Sequence, residues 1–464
     1  MTPPSSRRQF LETAGAGMAM GAGAGLDLPS TVAGQALPAE TGRKARPRIA
    51  ALASTYFYLS HAYHIVGRFL DGFTVYASED NGTSNGNPQH HPAFEVSSLY
   101  IEQAAGPSDL GRAKAERHGV RLSPTITDAL TLGTGKLAVD AVLLIAEHGD
   151  YPLNAKLQKL YPRGRYFREV LDVFRASGRS VPVFIDKHLS YSRAEAQQMV
   201  AEARALHVPL MAGSSLPITW RLPALEIPLG RTIKDALVLS RGNLEIFGFH
   251  ALETLQCMTE RRDRKGQPQG VKSVTCLEGD AVWKAADQGV WSWDLFHHAL
   301  GRSHTVNPGD VKQNTRDYSA PALRDSVTMV RVPTAFVVDY TDGLRSTVLI
   351  LNGHVDDTTI AIRLGDSAGR DTIVSTLMYL PAPPGARFFD PLVLRIEEFF
   401  KTGKSSYPVE RTLLTGGILD AALDSRVSNH QPFETPELAA INYASPADSG
   451  FISLPLTNPA PNRL

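Results

Sequence analysis

Two short polar runs, Glu147-His148-Gly149-Asp150 and Asp186-Lys187-His188, each follow an apolar stretch, residues 139–146 and 181–185. Polar groups that directly follow buried parallel strands stand at the carboxyl edge of a sheet, where open α/β folds bind their ligands. If the two strands are neighbours, their trailing acids, imidazoles and lysine converge on one edge. His250 and Glu253, on a later helical stretch, are placed to close over it. Histidines with carboxylates suit Zn, Mn or Fe, and the same set moves protons without a metal. Spacing leaves both open, because no H-x-x-x-H or C-x-x-C element is present. It also leaves open a plain structural role, in which these are hydrogen-bonded loop residues tying two domains together. His61 and His64, three apart on the first helical stretch, are either functional histidines following the first strand's turn or half-buried surface residues.

Such an edge needs a sheet of buried strands. The chain has 464 residues, 43% of them hydrophobic and 20% charged, enough for a large core in two or three domains. Lys+Arg and Asp+Glu are both 47, which argues against a nucleic-acid binder and against an acidic disordered tail. No apolar window is long enough to span a bilayer. Cys257 and Cys276 cannot build a disulfide framework, and whether they pair is open.

Residues 48–54, 94–101, 139–146, 181–185 and 208–211 read as strands, and residues 60–69, 109–118, 126–132, 165–176 and 193–206 as helices. This alternation predicts a Rossmann-like, doubly wound parallel sheet over residues 47–215. Residues 216–435 read as an α+β domain with an open, mostly antiparallel sheet. Helices are expected over 244–258, 392–401 and 409–423, and strands over 271–277, 335–339, 347–352 and 358–364. Residues 79–92 read as a surface loop, and 436–464 as an extended tail. Trp283, Trp291, Trp293 and Phe296 cluster with His297 and His298; they suit sugar stacking, a core or a subunit contact.

The order Val139-Asp140-Ala141-Val142, then Val183-Phe184-Ile185-Asp186-Lys187-His188, then Ala194-Glu195-Ala196 and residues 208–213 resembles the Gfo/Idh/MocA oxidoreductase family. Asp186-Lys187-His188 stands where that family has Glu-Lys-Pro. Gly248-Phe249-His250-Ala251-Leu252-Glu253 resembles its Gly-x-His-x-x-Asp helix. The resemblance spans residues 46–365. It implies oxidation of a sugar-like alcohol with NAD or NADP, with Lys187 polarising the substrate, His250 as base and Asp186 beside them. It further implies cofactor contacts from Ser54, Thr55, Glu102, Glu147 and His148. His188, Glu253 and Asp150 would then bind a small carbohydrate-like substrate. A homo-oligomer through the open sheet face fits the family habit.

The turn after the first strand departs from that pattern. Residues 53–60 contain no glycine, although glycine lets the backbone approach a pyrophosphate. The Thr-Pro segment after the second central strand is replaced by Glu147–Pro152, and residues 158–168 lengthen the crossover. Two further readings therefore stand beside the oxidoreductase. One is a cofactor-independent or metal-assisted sugar lyase or isomerase on the same scaffold, with a divalent cation at the strand-end cluster. The other is a non-catalytic carbohydrate-binding protein.

Ser6-Arg7-Arg8-Gln9-Phe10-Leu11, the small apolar stretch after it and Gly34-Gln35-Ala36 resemble a twin-arginine export signal over residues 1–36, followed by a linker over 37–46. The expected location is periplasmic or otherwise extracytoplasmic.

Overall fold

Residues 49–53 and 141–145 are buried without a break, and such runs form central strands covered on both faces. A computed structural model describes residues 46–74, 89–104, 106, 109–316 and 332–452. The expected export segment and linker up to residue 45, most of the 79–92 loop and the tail beyond residue 452 lie outside the described residues.

Six parallel strands form the first sheet: β1 (Arg48–Ala53), β2 (Glu95–Ile101), β3 (Arg121–Leu122), β4 (Ala141–Ile145), β5 (Val183–Asp186) and β6 (Leu210–Gly213). Their order is β3-β2-β1-β4-β5-β6, so the chain reverses direction across the sheet between β1 and β4. Helix α1 (His61–Asp71) follows β1, α2 (Arg163–Ser177) follows β4 and α3 (Arg193–Ala205) follows β5. Alternate residues separate the faces. Ala50, Leu52, Val142 and Leu144 pack with Tyr166, Val170 and Met199. Ile49, Ala51, Leu143 and Ile145 pack with Ile65, Val66 and Phe69. Each fully buried aliphatic side chain contributes about 1.5–3 kcal/mol through area removed from water.

The second sheet is mixed and mostly antiparallel. Its strands are β7 (Trp220–Leu222), β8 (Thr232–Ser240), β9 (Val271–Glu278), β10 (Thr334–Tyr340), β11 (Arg345–Ile350), β12 (Thr358–Gly365), β13 (Asp371–Tyr379) and β14 (Phe433–Glu434), in the order β14-β9-β10-β11-β8-β12-β13-β7. Only β8 and β11 run parallel among these pairs. One face carries α4 (Ile246–Thr259) and, later in the chain, α8 (Val409–Val427), through Val238, Phe336, Val348 and Ile360. The sheet does not close on itself, yet its other face is not bare. Helices α5 (Asp280–Asp287) and α6 (Trp293–Leu300) lay Val282, Trp283, Trp291, Leu295 and Phe296 against Leu237, Leu239, Leu349 and Ala361. The tryptophans are therefore core: Trp283 and Trp291 are buried, and the Trp291 indole donates to the Val282 carbonyl at 2.9 Å. The sheet face on which an oligomer was expected is occupied by the chain's own helices.

Helix α7 (Phe389–Thr402) returns to the first sheet, where Phe389, Leu392, Ile396 and Phe399 share a core with Ile49, Ile65 and Phe69. Cys257 and Cys276 are both free thiols and buried.

Candidate functional site

The carboxyl ends of β4 and β5 lie side by side, with Leu144 paired to Ile185. Just past each end a non-glycine residue takes a left-handed conformation, His148 at φ 68° and Lys187 at φ 65°. Such residues cost about 1–3 kcal/mol each and gather at functional sites. Lys187 is pinned there by its backbone N–H, which donates to the Gly213 carbonyl at 3.0 Å.

Below the edge lies an ionic layer closed to water. Glu147 is 1% exposed and serves two buried cations, with Lys187 Nζ at 2.7 Å on Oε1 and Arg163 Nη2 on Oε2. Burial alone would raise the Glu147 pKa, but the Lys187 and Arg163 charges hold it well below the usual carboxylate range. Arg163 opens α2, and sequence reasoning had left it inside a crossover insertion. It also faces His188, whose Nε2 stands 3.5 Å from Nη1. His188 is buried, ringed by Arg163, Glu245 and Phe249, and burial and then Arg163 hold its imidazole neutral. It supports the layer and does not reach the opening expected of a substrate contact. Glu245 accepts from the Lys159 N–H at 2.8 Å, and burial pushes its carboxyl up to about 7.

Three half-buried imidazoles stand over this layer. His61, on the first turn of α1, has Nδ1 2.6 Å from Asp186 Oδ2. Asp186 is 1% exposed, so it positions His61 and does not itself face a substrate. His148 meets His61 edge-on at 5.3 Å between ring centroids, and burial followed by the His61 charge lowers its pKa to about 3. His250 arrives from α4 and lies within electrostatic reach of Lys187, His61 and Glu147; burial and then Lys187 keep it neutral. Its Nδ1 is 2.9 Å from Ser214 Oγ, and that hydroxyl donates in turn to Glu253 Oε2. While Glu253 is ionised, the Ser214 hydroxyl donates to it and must accept from its other partner, so His250 then carries its proton on Nδ1 and presents a lone pair at Nε2. Glu253, fully buried, also accepts the Ser214 N–H at 3.2 Å, and burial raises its pKa to about 7. It anchors the relay and is not a substrate contact. Gly213 makes room for this arrangement: at φ 142°, a Cβ there would run into the Tyr407 hydroxyl and stand 2.9 Å from Glu253 Oε1. Helix α1 divides the two early histidines: His61 joins the site, whereas His64 stacks on Phe389 at 4.7 Å, inside the core.

Among the described residues, no three His, Cys, Asp or Glu side chains form a metal-ligand set. Glu147, Asp186 and Glu253 are already engaged by Lys187 and Arg163, His61 and Ser214. The expected divalent-metal site therefore has no ligand set here.

Of the residues expected to hold a dinucleotide, Ser54, Glu102 and Glu147 are engaged within the chain and do not fit one, whereas Thr55 Oγ1 and His148 Nε2 are buried without a hydrogen-bond partner among the described residues. Ser54 Oγ donates to the carbonyls of Glu147 at 2.9 Å and His148 at 3.1 Å, and Thr55 is buried beside Gly149. Glu102 accepts from Tyr151 Oη at 2.6 Å and Tyr166 Oη at 2.9 Å and pairs with Arg165. Burial pushes the Glu102 pKa up, but those hydroxyls and the arginine bring it below its ordinary value. Asp150 is exposed, and its backbone bonds Gln103 across the end of β1. The start of α1 is satisfied internally, since Ser60 Oγ accepts from Tyr63 N–H at 3.1 Å. The sequence showed the missing glycines; it did not show Tyr151, Tyr166 and Gln103 taking the remaining positions.

No protein-family model and no curated protein matches the chain. Solved structures do. GenD2 from gentamicin A biosynthesis, crystallised with NAD, aligns at 14% identity over 86% of this chain and 99% of its own, with a TM-score of 0.51. A myo-inositol dehydrogenase from Lactobacillus casei, crystallised with NAD(H) and myo-inositol, aligns at 11% identity over 86% of this chain and 98% of its own, with a TM-score of 0.49. The likeness to GenD2 is one of fold: a Rossmann-like parallel sheet followed by a mixed, mostly antiparallel one.

Proposed function

We propose that the chain is an exported enzyme of the Gfo/Idh/MocA type that acts on a sugar- or polyol-like substrate where Lys187 and His250 meet. One observation carries this reading: the Lys187 N–H bonds the Gly213 carbonyl and the His250 ring bonds the hydroxyl of the next residue, Ser214, so the lysine ending β5 and the histidine on α4, far apart in sequence, are held at one strand end. The chain shares this fold with GenD2, a protein from gentamicin A biosynthesis in complex with NAD. The twin-arginine motif supports export.

Lys187 gives one of its three donors to Glu147 and is itself only 2% exposed, so its remaining donors polarise a substrate oxygen that enters the buried layer. His250 Nε2 takes a proton from the substrate, a contribution of about 10²–10⁴-fold for a well-placed base. The fold is that of a dehydrogenase, but the crevice that would hold a hydride acceptor is crossed by the loop after β4. Lys187→Met and His250→Asn are each expected to lower turnover by at least about 100-fold, measured on a panel of sugars, uronic acids and polyols. Their circular dichroism should match the parent. Folded variants with undiminished turnover would remove both residues from the mechanism.

A further inference from the structure

In a sheet of this order the crevice between β1 and β4 is where a dinucleotide crosses, with its phosphates at the start of the first helix and a ribose on the acid ending β2. Here the loop after β4 lies across that path. Gln103 and the Asp150 backbone exchange two hydrogen bonds, at 2.8 and 3.1 Å, bridging the ends of β2 and β4 over β1. The Tyr151 hydroxyl sits on Glu102, as a ribose hydroxyl would. Gly149 lets the loop lie this low, because a Cβ there would stand 2.8 Å from the Tyr151 ring and 3.0 Å from Gln103 Oε1. Over the first turn of α1, where phosphates would sit, the His61 ring packs between His148 at 5.3 Å and Phe389 at 5.2 Å.

His61 is also equipped for chemistry. Its Nδ1 is held by Asp186, the arrangement that orients an imidazole. Its Nε2, like that of His250, has no hydrogen-bond partner among the described residues. Two oriented imidazoles and one ammonium thus share an edge whose cofactor path is closed.

We propose that this site runs a redox-neutral proton transfer on a carbonyl-bearing sugar derivative without any nicotinamide, with His61 as its second acid–base group. The proposal rests on the reading of Lys187 and His250 given above. One imidazole Nε2 takes the proton from the carbon next to the carbonyl. The C–H electron pair becomes the enolate double bond, and the carbonyl π pair moves onto oxygen, which Lys187 meets with a hydrogen bond. An imidazole then returns a proton to carbon or to that oxygen, giving an isomer. One proton leaves and one comes back, and no electrons leave the substrate, so no oxidant is consumed.

The test uses the whole mature chain purified without unfolding. Denaturation is expected to release no NAD or NADP, and titration with NAD⁺, NADH, NADP⁺ and NADPH to about 1 mM, the upper range of ordinary substrate affinities, is expected to show no saturable binding. In D₂O, a panel of aldoses, ketoses and uronic acids is expected to show carbon-bound deuterium in at least one member with no cofactor added. His61→Asn should cut that exchange at least about tenfold while keeping the parent's circular dichroism and unfolding midpoint. Stoichiometric dinucleotide, or saturable binding of one, overturns the closed crevice. Absence of exchange across the panel, or exchange untouched by His61→Asn, overturns the proton-transfer role. Loss of turnover in Lys187→Met and His250→Asn, with dinucleotide bound, would leave the earlier reading standing and remove this one.

Discussion

Glutamine in place of Glu147 is expected to destabilise the chain by about 3–5 kcal/mol, the cost of removing one partner from a buried ion pair. The magnitude follows from the arrangement. One carboxylate, 1% exposed, faces two cations that are themselves buried, Arg163 at 0% and Lys187 at 2%. Glutamine keeps the shape and removes the only charge that both cations contact. Lys187→Met should cost clearly less, because it leaves Glu147 and Arg163 as a matched pair. Urea unfolding of the two variants measures this ordering. A Glu147→Gln loss below about 1 kcal/mol, the range of an exposed pair, would mean that water reaches the layer. Equal losses in both variants would mean that Lys187 is held by something other than Glu147.

Much of this layer was legible in the sequence, for identifiable reasons. The runs ending at Ala146 and Ile185 are apolar without interruption, and only a sheet interior explains that in a soluble fold, so the residues following them had to share an edge. Arg163 was equally legible in principle. It stands four and seven residues before Phe167 and Val170, on the face of α2 that packs on the sheet, and a charge on an apolar stripe requires a buried partner. Other features have no local signature. Helix α7 displays an apolar stripe, Phe389, Leu392, Val393, Ile396 and Phe400, but spacing states only that a face is buried, not that it closes on a sheet more than 300 residues earlier in the chain. The tryptophans of α5 and α6 carry the same ambiguity: an amphipathic aromatic face suits a sugar, a partner or a sheet equally well, and the outward residues of β8, β11 and β12 decide for the sheet.

The closed crevice and the covered sheet have a common physical basis. Polar groups at strand ends are paired from within the chain where a partner is in reach. Gln103, Tyr151 and Tyr166 do this at Asp150 and Glu102, whereas Thr55 Oγ1, His148 Nε2 and Asp186 Oδ1 are buried without a partner among the described residues. The outer face of the second sheet, left bare, would expose an apolar patch large enough to drive association. Helices α5 and α6 bury it.

Stability is expected to peak near pH 6.5 and to fall steeply below it. Burial lowers the pKa of His64 and of His148 from 6.5 to about 3, and holds His188 and His250 well below their ordinary value as well. Above pH 6.5 these groups are neutral whether the chain is folded or not, and they contribute nothing to the pH dependence. As the pH falls from 6.5 toward 3, the unfolded chain takes up protons that the folded one refuses, and each group removes about 1.4 kcal/mol per pH unit. Glu245 and Glu253 act in the opposite sense. Their pKa is raised from 4.5 to about 7, so the stability they give is full below pH 4.5 and is lost as the pH climbs through 7. Four imidazoles outweigh two carboxyls between pH 4.5 and 6.5, so the net slope there is positive, and above 7 the curve flattens. Urea unfolding at half-unit steps measures it. His148→Asn, chosen because asparagine tolerates the left-handed conformation, should reduce the acid slope by about one proton whatever it does to overall stability. Glu253→Gln removes one of the two opposing carboxyls, so it should steepen the rise between pH 4.5 and 6.5 and leave the limb below pH 4.5 unchanged. An acid slope that His148→Asn does not alter would mean that this imidazole protonates freely in the folded chain, and that the roof of the site is open to water.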